Sequence, residues 1–283
     1  MSLPQKRFFR QRAHSNPLAD HSLEFPSCPS KMDWSEHFPL FFTKLGERFN
    51  DEENSMKTKK KVEFADVGCG YGGLLVGLAD TFPEVLSLGL ELRAKVADYA
   101  HKKILGLFIT QKLLFLAYNC LQLALREQNK STGKYQNISI VRANAMKYLP
   151  YFFEKGQLKK IFFLFPDPHF KKSKHKWRII SPHLLSDYAY FLAVGGLLYT
   201  VTDVAELYEW EIKHLSEHPL FMRISNESLK GDATVDLILN SSEESKKVTR
   251  QGGDNKMGEK YWAVFQRVED PFIKLEKNTP SEV

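Results

Sequence analysis

From residue 62 onward the sequence predicts an α/β fold: a mostly parallel, seven-stranded sheet with helices on both faces. Three observations predict it. Short apolar runs alternate with longer stretches of helical period. A glycine-rich turn, Gly68-Cys69-Gly70-Tyr71-Gly72-Gly73, directly follows the first apolar run. An acid, Glu91, closes the second run, 18 residues after Gly73.

Each element has its local reason. Val62–Val67 is a short apolar run ending at the glycine turn, the first strand. Gly73–Thr81 reads as a helix stopped by Pro83. Val85–Leu90 is the second strand. Ala94–Arg126 is a long helical stretch whose candidate break is Gly106. Ile138–Arg142 is the third strand and Ala145–Phe153 a short helix. Lys160–Phe165 is the fourth strand, ended by Pro166. Ser181 as cap and Pro182 in the first turn predict a helix to about Val194, ended by Gly195-Gly196. Leu197–Thr202 is the fifth strand, and Asp203 is a candidate cap for a helix over Ala205–Glu217. Phe221–Ile224 and Tyr261–Val268 complete the seven. In such sheets ligands bind at the carboxyl ends of the strands, which are therefore the places to look for chemistry.

The chain has 283 residues, 43% of them hydrophobic, enough for one large domain or one domain with arms. Residues 1–61 read as a basic N-terminal arm and linker, and 62–283 as the folded domain. Prolines recur at 4, 17, 26, 29 and 39, and an acidic run, Asp51 to Ser55, meets a lysine run, Lys57 to Lys61. The net charge of +6 favours an anionic partner without identifying it. Cys28, Cys69 and Cys120 are far apart with no CxxC pair, which argues against a zinc site or disulfide framework and for a reducing compartment. Met1 to Ala19 is basic and free of acids, as in a transit peptide, but its large apolar residues cluster only at Phe8-Phe9. The stretch Ile104 to Leu125 approaches the length of a membrane span. It contains Gln111, Lys112, Asn119 and Gln122, and a charge at the centre of a span costs at least about 2.5 kcal/mol. It is read as a buried or partly exposed helix, so no membrane partner is expected, with a membrane span as the less favoured alternative.

Four motifs can carry chemistry. Gly68, Gly70 and Gly73 satisfy G-x-G-x-x-G between a strand and a helix, with Glu91 placed to accept hydrogen bonds from ribose hydroxyls. This is a nucleoside-site signal, against a purely structural turn. Asp66 would repel a dinucleotide's pyrophosphate and suits a ligand with a cationic end. Second, Phe165-Pro166-Asp167-Pro168-His169 brackets one carboxylate with two prolines at the end of the fourth strand. Asp167 there is either an active-site acid or a solvated turn residue. Third, Lys171, Lys172, Lys174, Lys176 and Arg178 follow at once, with His175 and Trp177 among them; they are phosphate contacts or a solvated face. Lys6-Arg7-Phe8-Phe9-Arg10-Gln11-Arg12 has the same interleaving of cations and aromatics, so that Arg10 and Arg12 join the candidate nucleic-acid contacts or belong to a tail. Fourth, Asn144 after the third strand either reads an adenine edge or caps the next helix.

Together these residues closely resemble one family, the eukaryotic tRNA (guanine-N7) methyltransferases. The resemblance is carried by Gln5 to Pro17, Phe64 to Leu74, Gly89 to Arg93, Asn144 to Lys147 and Phe163 to Lys171, and it covers nearly the whole chain. The resemblance implies a class I (Rossmann-like) S-adenosylmethionine-dependent methyltransferase fold. It implies methyl transfer to N7 of a guanine in the tRNA variable loop, a WD-repeat propeller subunit as partner, and a nuclear location with a cytoplasmic one as the alternative. Carried over by motif, Gly68, Glu91, Arg93, Asn144, Ala145 and Leu164 would line the cofactor site, with Gly70 from the glycine turn, and Asp167 would be the active-site acid. Asn240-Ser241-Ser242-Glu243 matches a family T-x-x-E element, which would set Asn240 and Ser242 at the cofactor's amino-acid end and Glu243 by the guanine.

Two departures stand out. Asn240 occupies a position where the family has Thr. The apolar stretch from about 106 to 123 reads as inserted, since joining Ile104-Leu105 to Ala124-Leu125 restores a continuous family-like helix; it is a helical extension or an artefact. The competing functions are methyl transfer to another RNA site or a protein, and a non-catalytic RNA-binding subunit. The intact glycine turn, Glu91 and Asp167 argue against the last. An NAD-dependent dehydrogenase has only the glycine pattern behind it.

Overall fold

A computed structural model describes residues 3–12, 16, 22–43, 60–122, 134–251 and 259–272, and for 113–122 the backbone only. Seven strands form one sheet: β1 (Val62–Val67), β2 (Leu86–Glu91), β3 (Ile138–Arg142), β4 (Leu158–Leu164), β5 (Leu192–Thr202), β6 (Phe221–Arg223) and β7 (Tyr261–Arg267). Their order is β3-β2-β1-β4-β5-β7-β6. The first five run parallel, and β7 is antiparallel to both β5 and β6. The order reverses between β1 and β4, so the crevice above their carboxyl ends is where such a sheet takes a ligand.

Seven α-helices accompany the sheet among the described residues: α1 (Gly73–Thr81), α2 (Ala94–Gln122), α3 (Ala145–Phe152), α4 (Pro182–Phe191), α5 (Ala205–Glu217), α6 (Ala233–Asn240) and α7 (Glu243–Gln251). The strand period of two divides the core between two faces. In β4, Ile161 and Phe163 pack with α3, α4 and α5, while Phe162 packs with α1 and α6; in β7, Ala263 and Phe265 take the first side and Val264 the second. A third cluster joins α1 and α2 to β3 through Leu75, Ala100, Ile104 and Ile140. Within the stretch expected to be an irregular arm, Phe38 is wholly buried in the largest cluster, with Trp34, Phe41 and Phe42 packed against it.

Several sequence expectations are corrected. The helix predicted to reach Val194 ends at Phe191, because Gly195-Gly196 serve a strand rather than a helix stop. Gly195 has φ +86°, and a Cβ on Gly196 would lie 2.9 Å from the Ala193 carbonyl oxygen, so this irregular entry into β5 needs glycines. Ser181 stands at the start of α4, but its side chain makes no capping bond. Asp203 does not cap α5; Val204 occupies the cap position, and its N–H donates to Thr202 Oγ1 at 3.1 Å. α2 continues through Gly106 without a break. The sequence does not predict the helices α6 and α7, and residues 123–126 of the predicted long helix lie outside the described residues. Among the described residues, no helix is long and apolar enough to cross a membrane.

One buried acid sets a pH dependence of stability. Glu211 on α5 is fully buried against β5, where Thr200 Oγ1 donates to its Oε2 at 2.6 Å. Burial pushes its carboxyl up from 4.5 to about 8, opposed by the Thr200 bond and by Arg178. Between those two values the folded chain holds a proton that the unfolded chain has lost, so stability falls as pH rises across the window. Glu211→Gln should therefore match the parent melting temperature near pH 5 and exceed it increasingly up to pH 8, at about 2–4 °C per kcal/mol relieved. Melting curves from pH 5 to 9 test this; a constant difference between the two proteins would refute it.

Candidate active site

The carboxyl ends of β1 to β5 open into one cavity of about 630 Å³. β1 contributes Asp66 and Val67, and the turn after it Gly68, Cys69, Gly70 and Tyr71. Gly68, Gly70 and Gly72 all have positive φ, the region where a side chain is strained, which is why the turn is built of glycines. Gly73 has a different reason: a Cβ there would lie 2.5 Å from the Ser241 carbonyl oxygen, so its absence lets the α6–α7 turn close over the start of α1.

Glu91, at the end of β2, is buried and organises this wall. Its carboxylate accepts from Gly70 N at 3.1 Å, from Arg93 N at 2.8 Å, and from Arg93 Nε and Nη2 at 3.0 and 2.9 Å. Asp66 is buried beside it, and no described residue forms an ion pair with it. Burial, reinforced by Glu91, pushes the Asp66 carboxyl up to about 8. This wall therefore holds two acids, Asp66 and Glu91, and one guanidinium, which is engaged with Glu91. Asn144 does cap α3, accepting from Met146 N at 3.1 Å, and the same residue lines the cavity with Ala145.

The opposite wall is the loop after β4. Leu164, Phe165, Pro166, Asp167, Pro168, His169 and Phe170 all line the cavity. Phe165 N continues the sheet pattern by donating to Val201 O at 2.7 Å. Phe165 and His169 adopt positive φ, 51° and 45°, at an expected cost of about 1–3 kcal/mol each. Asp167 Oδ1 accepts from His169 N at 3.2 Å, and its Oδ2 lies 3.8 Å from His169 Nδ1. The third side is the start of α7. Ser242 lines the cavity and caps α7 by accepting from Ser245 N at 3.0 Å. Glu243 lines it too and is ion-paired with Lys6 of the N-terminal arm. Burial alone would raise the Glu243 carboxyl, but Lys6, Lys103 and Lys246 outweigh it and hold it below the ordinary range.

The structure thus brings together Gly68, Gly70, Glu91, Arg93, Asn144, Ala145, Leu164, Asp167, Ser242 and Glu243 around one cavity. Two expected residues stand elsewhere. Asn240, the last residue of α6, is exposed and lines no part of the cavity, because the chain turns inward only at Ser242. Arg178 is not a surface cation: it is 1% exposed, with its guanidinium committed to protein groups. Lys172, Lys174 and Lys176 are exposed on a short 3-10 helix beside the cavity mouth, and Lys171, also exposed, directly precedes it. The arm is docked through Phe9 on Tyr99, with ring centroids 5.5 Å apart, leaving Arg10 and Arg12 exposed.

Among the lining residues that the sequence does not single out as site residues are Trp177, Ile179, Asp203, Val204, Lys247 and Gln251. Asp203 follows β5 directly, so the strand-end rule could have found it. Lys247 and Gln251 recur at the helical spacing from Glu243, a signal visible only once 243–251 is read as a helix.

Glu91→Gln tests the role of the second strand end. Hydrogen bonds to a charged group contribute roughly 1.5–3 kcal/mol each, so weakening this set should raise the Kd for S-adenosylmethionine about tenfold to hundredfold. Calorimetry measures it, and an unchanged Kd would place the nucleoside elsewhere.

Residues 60–257 match a family model described as "Putative methyltransferase". The chain is similar to the tRNA (guanine-N(7)-)-methyltransferase of Xenopus laevis, 52% identical with 95% of this chain and 91% of that one covered. It is likewise 52% identical to the protein of that name from Danio rerio, with 95% and 98% covered. The Homo sapiens protein of the same name is 50% identical, with 96% and 91% covered. With half its residues shared over nearly the whole length of such relatives, the chain belongs to the tRNA (guanine-N(7)-)-methyltransferase family.

Proposed function

We propose that the protein transfers a methyl group from S-adenosylmethionine to N7 of a guanine in the variable loop of tRNA. The observation that carries this reading is the placement of Asp167. It stands across one cavity from the Glu91-ordered glycine turn, with exposed lysines at the mouth.

The site fits the cofactor by charge as well as shape. Glu91 and the open glycine turn suit an adenosine. Asp66 is a buried acid whose carboxyl is held up at about 8 by burial and by Glu91, and an ammonium or sulfonium beside it would favour its charged form. S-adenosylmethionine, when bound, supplies a methyl group activated on a sulfonium. The residues of the chain do the rest. Guanine N7 has a lone pair and no proton, so its attack needs no general base. What it needs is alignment in a dry, preorganised site. Asp167 accepts hydrogen bonds from the guanine edge and offsets the positive charge that the purine gains. The prolines on either side keep that carboxylate from swinging away. Lys171, Lys172, Lys174 and Lys176 hold tRNA phosphates, joined by Arg10 and Arg12 of the arm. Following the resemblance of its motifs to eukaryotic members of the family, the chain works with a WD-repeat propeller subunit in the nucleus.

The test is methyl transfer from labelled S-adenosylmethionine to tRNA, with and without a propeller subunit, followed by strand cleavage specific for N7-methylguanine. Label at the variable-loop guanine is expected, and label elsewhere or none would overturn the reading. In the same assay Asp167→Ala should lose about a hundredfold or more in kcat while its affinity for the cofactor stays nearly unchanged. Near-normal turnover would remove Asp167 from the mechanism. Replacing the four exposed lysines by Gln should weaken tRNA binding and flatten its salt dependence by roughly 0.7–0.9 for each phosphate no longer neutralised. An identical salt slope would show those charges to be a solvated face.

A further inference from the structure

We propose that Arg178 is a positioning residue for methyl transfer, its buried guanidinium locking the Asp167 loop to the first turn of α5. The inference rests on the function proposed above. Arg178 sits at the end of a run of cations, yet it is buried and spends its donors on three partners. Its Nε donates to the Pro168 carbonyl oxygen at 2.8 Å, and its Nη2 donates to Glu206 Oε1 at 2.9 Å. Nη2 also lies 3.0 Å from His175 Nε2. A guanidinium has no acceptor, so His175 Nε2 must accept and its ring proton sits on Nδ1. The guanidinium carbon stands 4.9 Å from the centre of the Trp210 ring, which shields it from water.

Pro168 directly follows Asp167, and Phe165 and His169 both hold costly backbone angles. Such a backbone persists only where its surroundings over-determine it. On the cavity side, His169 N holds the Asp167 carboxylate; on the far side, Arg178 holds the carbonyl one residue on. Glu206 lies two residues after Val204, and Asp203 and Val204 line the cavity. The clamp therefore ties together two walls of the cavity, the β4 loop and the β5–α5 turn. The Arg178 hydrogen bond, more than any other neighbour, holds the Glu206 carboxyl below its ordinary range. A lysine carries the same charge on a single point and cannot reach both oxygens in fixed directions.

That difference gives the test, run on the full chain, with a propeller subunit wherever the wild type needs one. Arg178→Lys keeps a cation for phosphate but loses the fork. It should lower kcat about tenfold to hundredfold, with the tRNA KM within about twofold and the salt slope and cofactor Kd unchanged. Glu206→Ala, at a side chain 57% exposed and so tolerant of change, should move kcat alone in the same direction by several-fold. Trypsin should cleave the 171–176 segment faster in both variants. A near-normal kcat in Arg178→Lys, or a loss confined to KM and salt slope, overturns the inference. If Arg178→Lys fails to bind cofactor at all, Glu206→Ala decides by the same criterion. If the wild type methylates no tRNA, the functional reading falls, and unchanged tryptic cleavage in both variants would overturn the clamp independently.

Discussion

The site depends first on a buried carboxylate at the end of β2. Glu91 lies below the surface with four donors directed at it, from the Gly70 amide and from the backbone and side chain of Arg93. A buried charge is tolerated only when its lone pairs are met in this way. The consequence reaches beyond one residue. Because Gly70 N is one of those donors, the glycine turn is pinned to the neighbouring strand, and Gly68 and Cys69 amides are pinned there too through the Leu90 carbonyl. The turn can then be made of residues with little conformational preference of their own and still hold one shape.

The wall opposite the glycine turn, where the proposed function sets the methyl acceptor, is fixed by a different device. The loop after β4 carries two prolines and two non-glycine residues with positive φ, so its backbone is costly and rigid at once. It is held at three places: by β5 through Phe165 N, by its own carboxylate through His169 N, and by α5 through Arg178. Each attachment comes from a different direction. A carboxylate so placed can aim at a purine edge without reorganising when charge develops, which is where the electrostatic advantage of a preorganised site lies.

Much of this is legible in the sequence because the relevant signals are local. The glycine turn, Glu91, Asn144 and Asp167 all sit at strand ends, and strand ends announce themselves by a change from apolar runs to glycine, proline or acid. The unread parts depend on distant partners or lack a periodic stripe. Arg178 lies in a basic run and reads as surface; its burial is caused by Glu206 and Trp210, some thirty residues on. Phe38 lies among prolines, and nothing nearby says that it belongs to the main core. α7 is so polar that Val248 is its single buried large apolar residue, too little for an apolar stripe. Gly195-Gly196 read as a helix stop because glycine pairs end helices as readily as they distort strands, and only the pairing of β5 with β4 decides between the two.

The distribution of positive charge then separates two tasks that the net charge of +6 conflates. Lys171, Lys172, Lys174 and Lys176 are exposed at the mouth, where an ammonium can replace counterions on a polyanion. Arg178 and Arg93 are withdrawn from solvent, each facing a carboxylate and shaping one wall of the cavity. The choice of residue follows the task. A flexible ammonium suits a mobile phosphate contact, whereas a planar fork suits a fixed distance between two oxygens. On the proposed function, the basic segment is two devices in sequence, an exposed lysine surface for attraction and a buried arginine for geometry. Substrate capture can vary with the lysines while the alignment behind them stays constant.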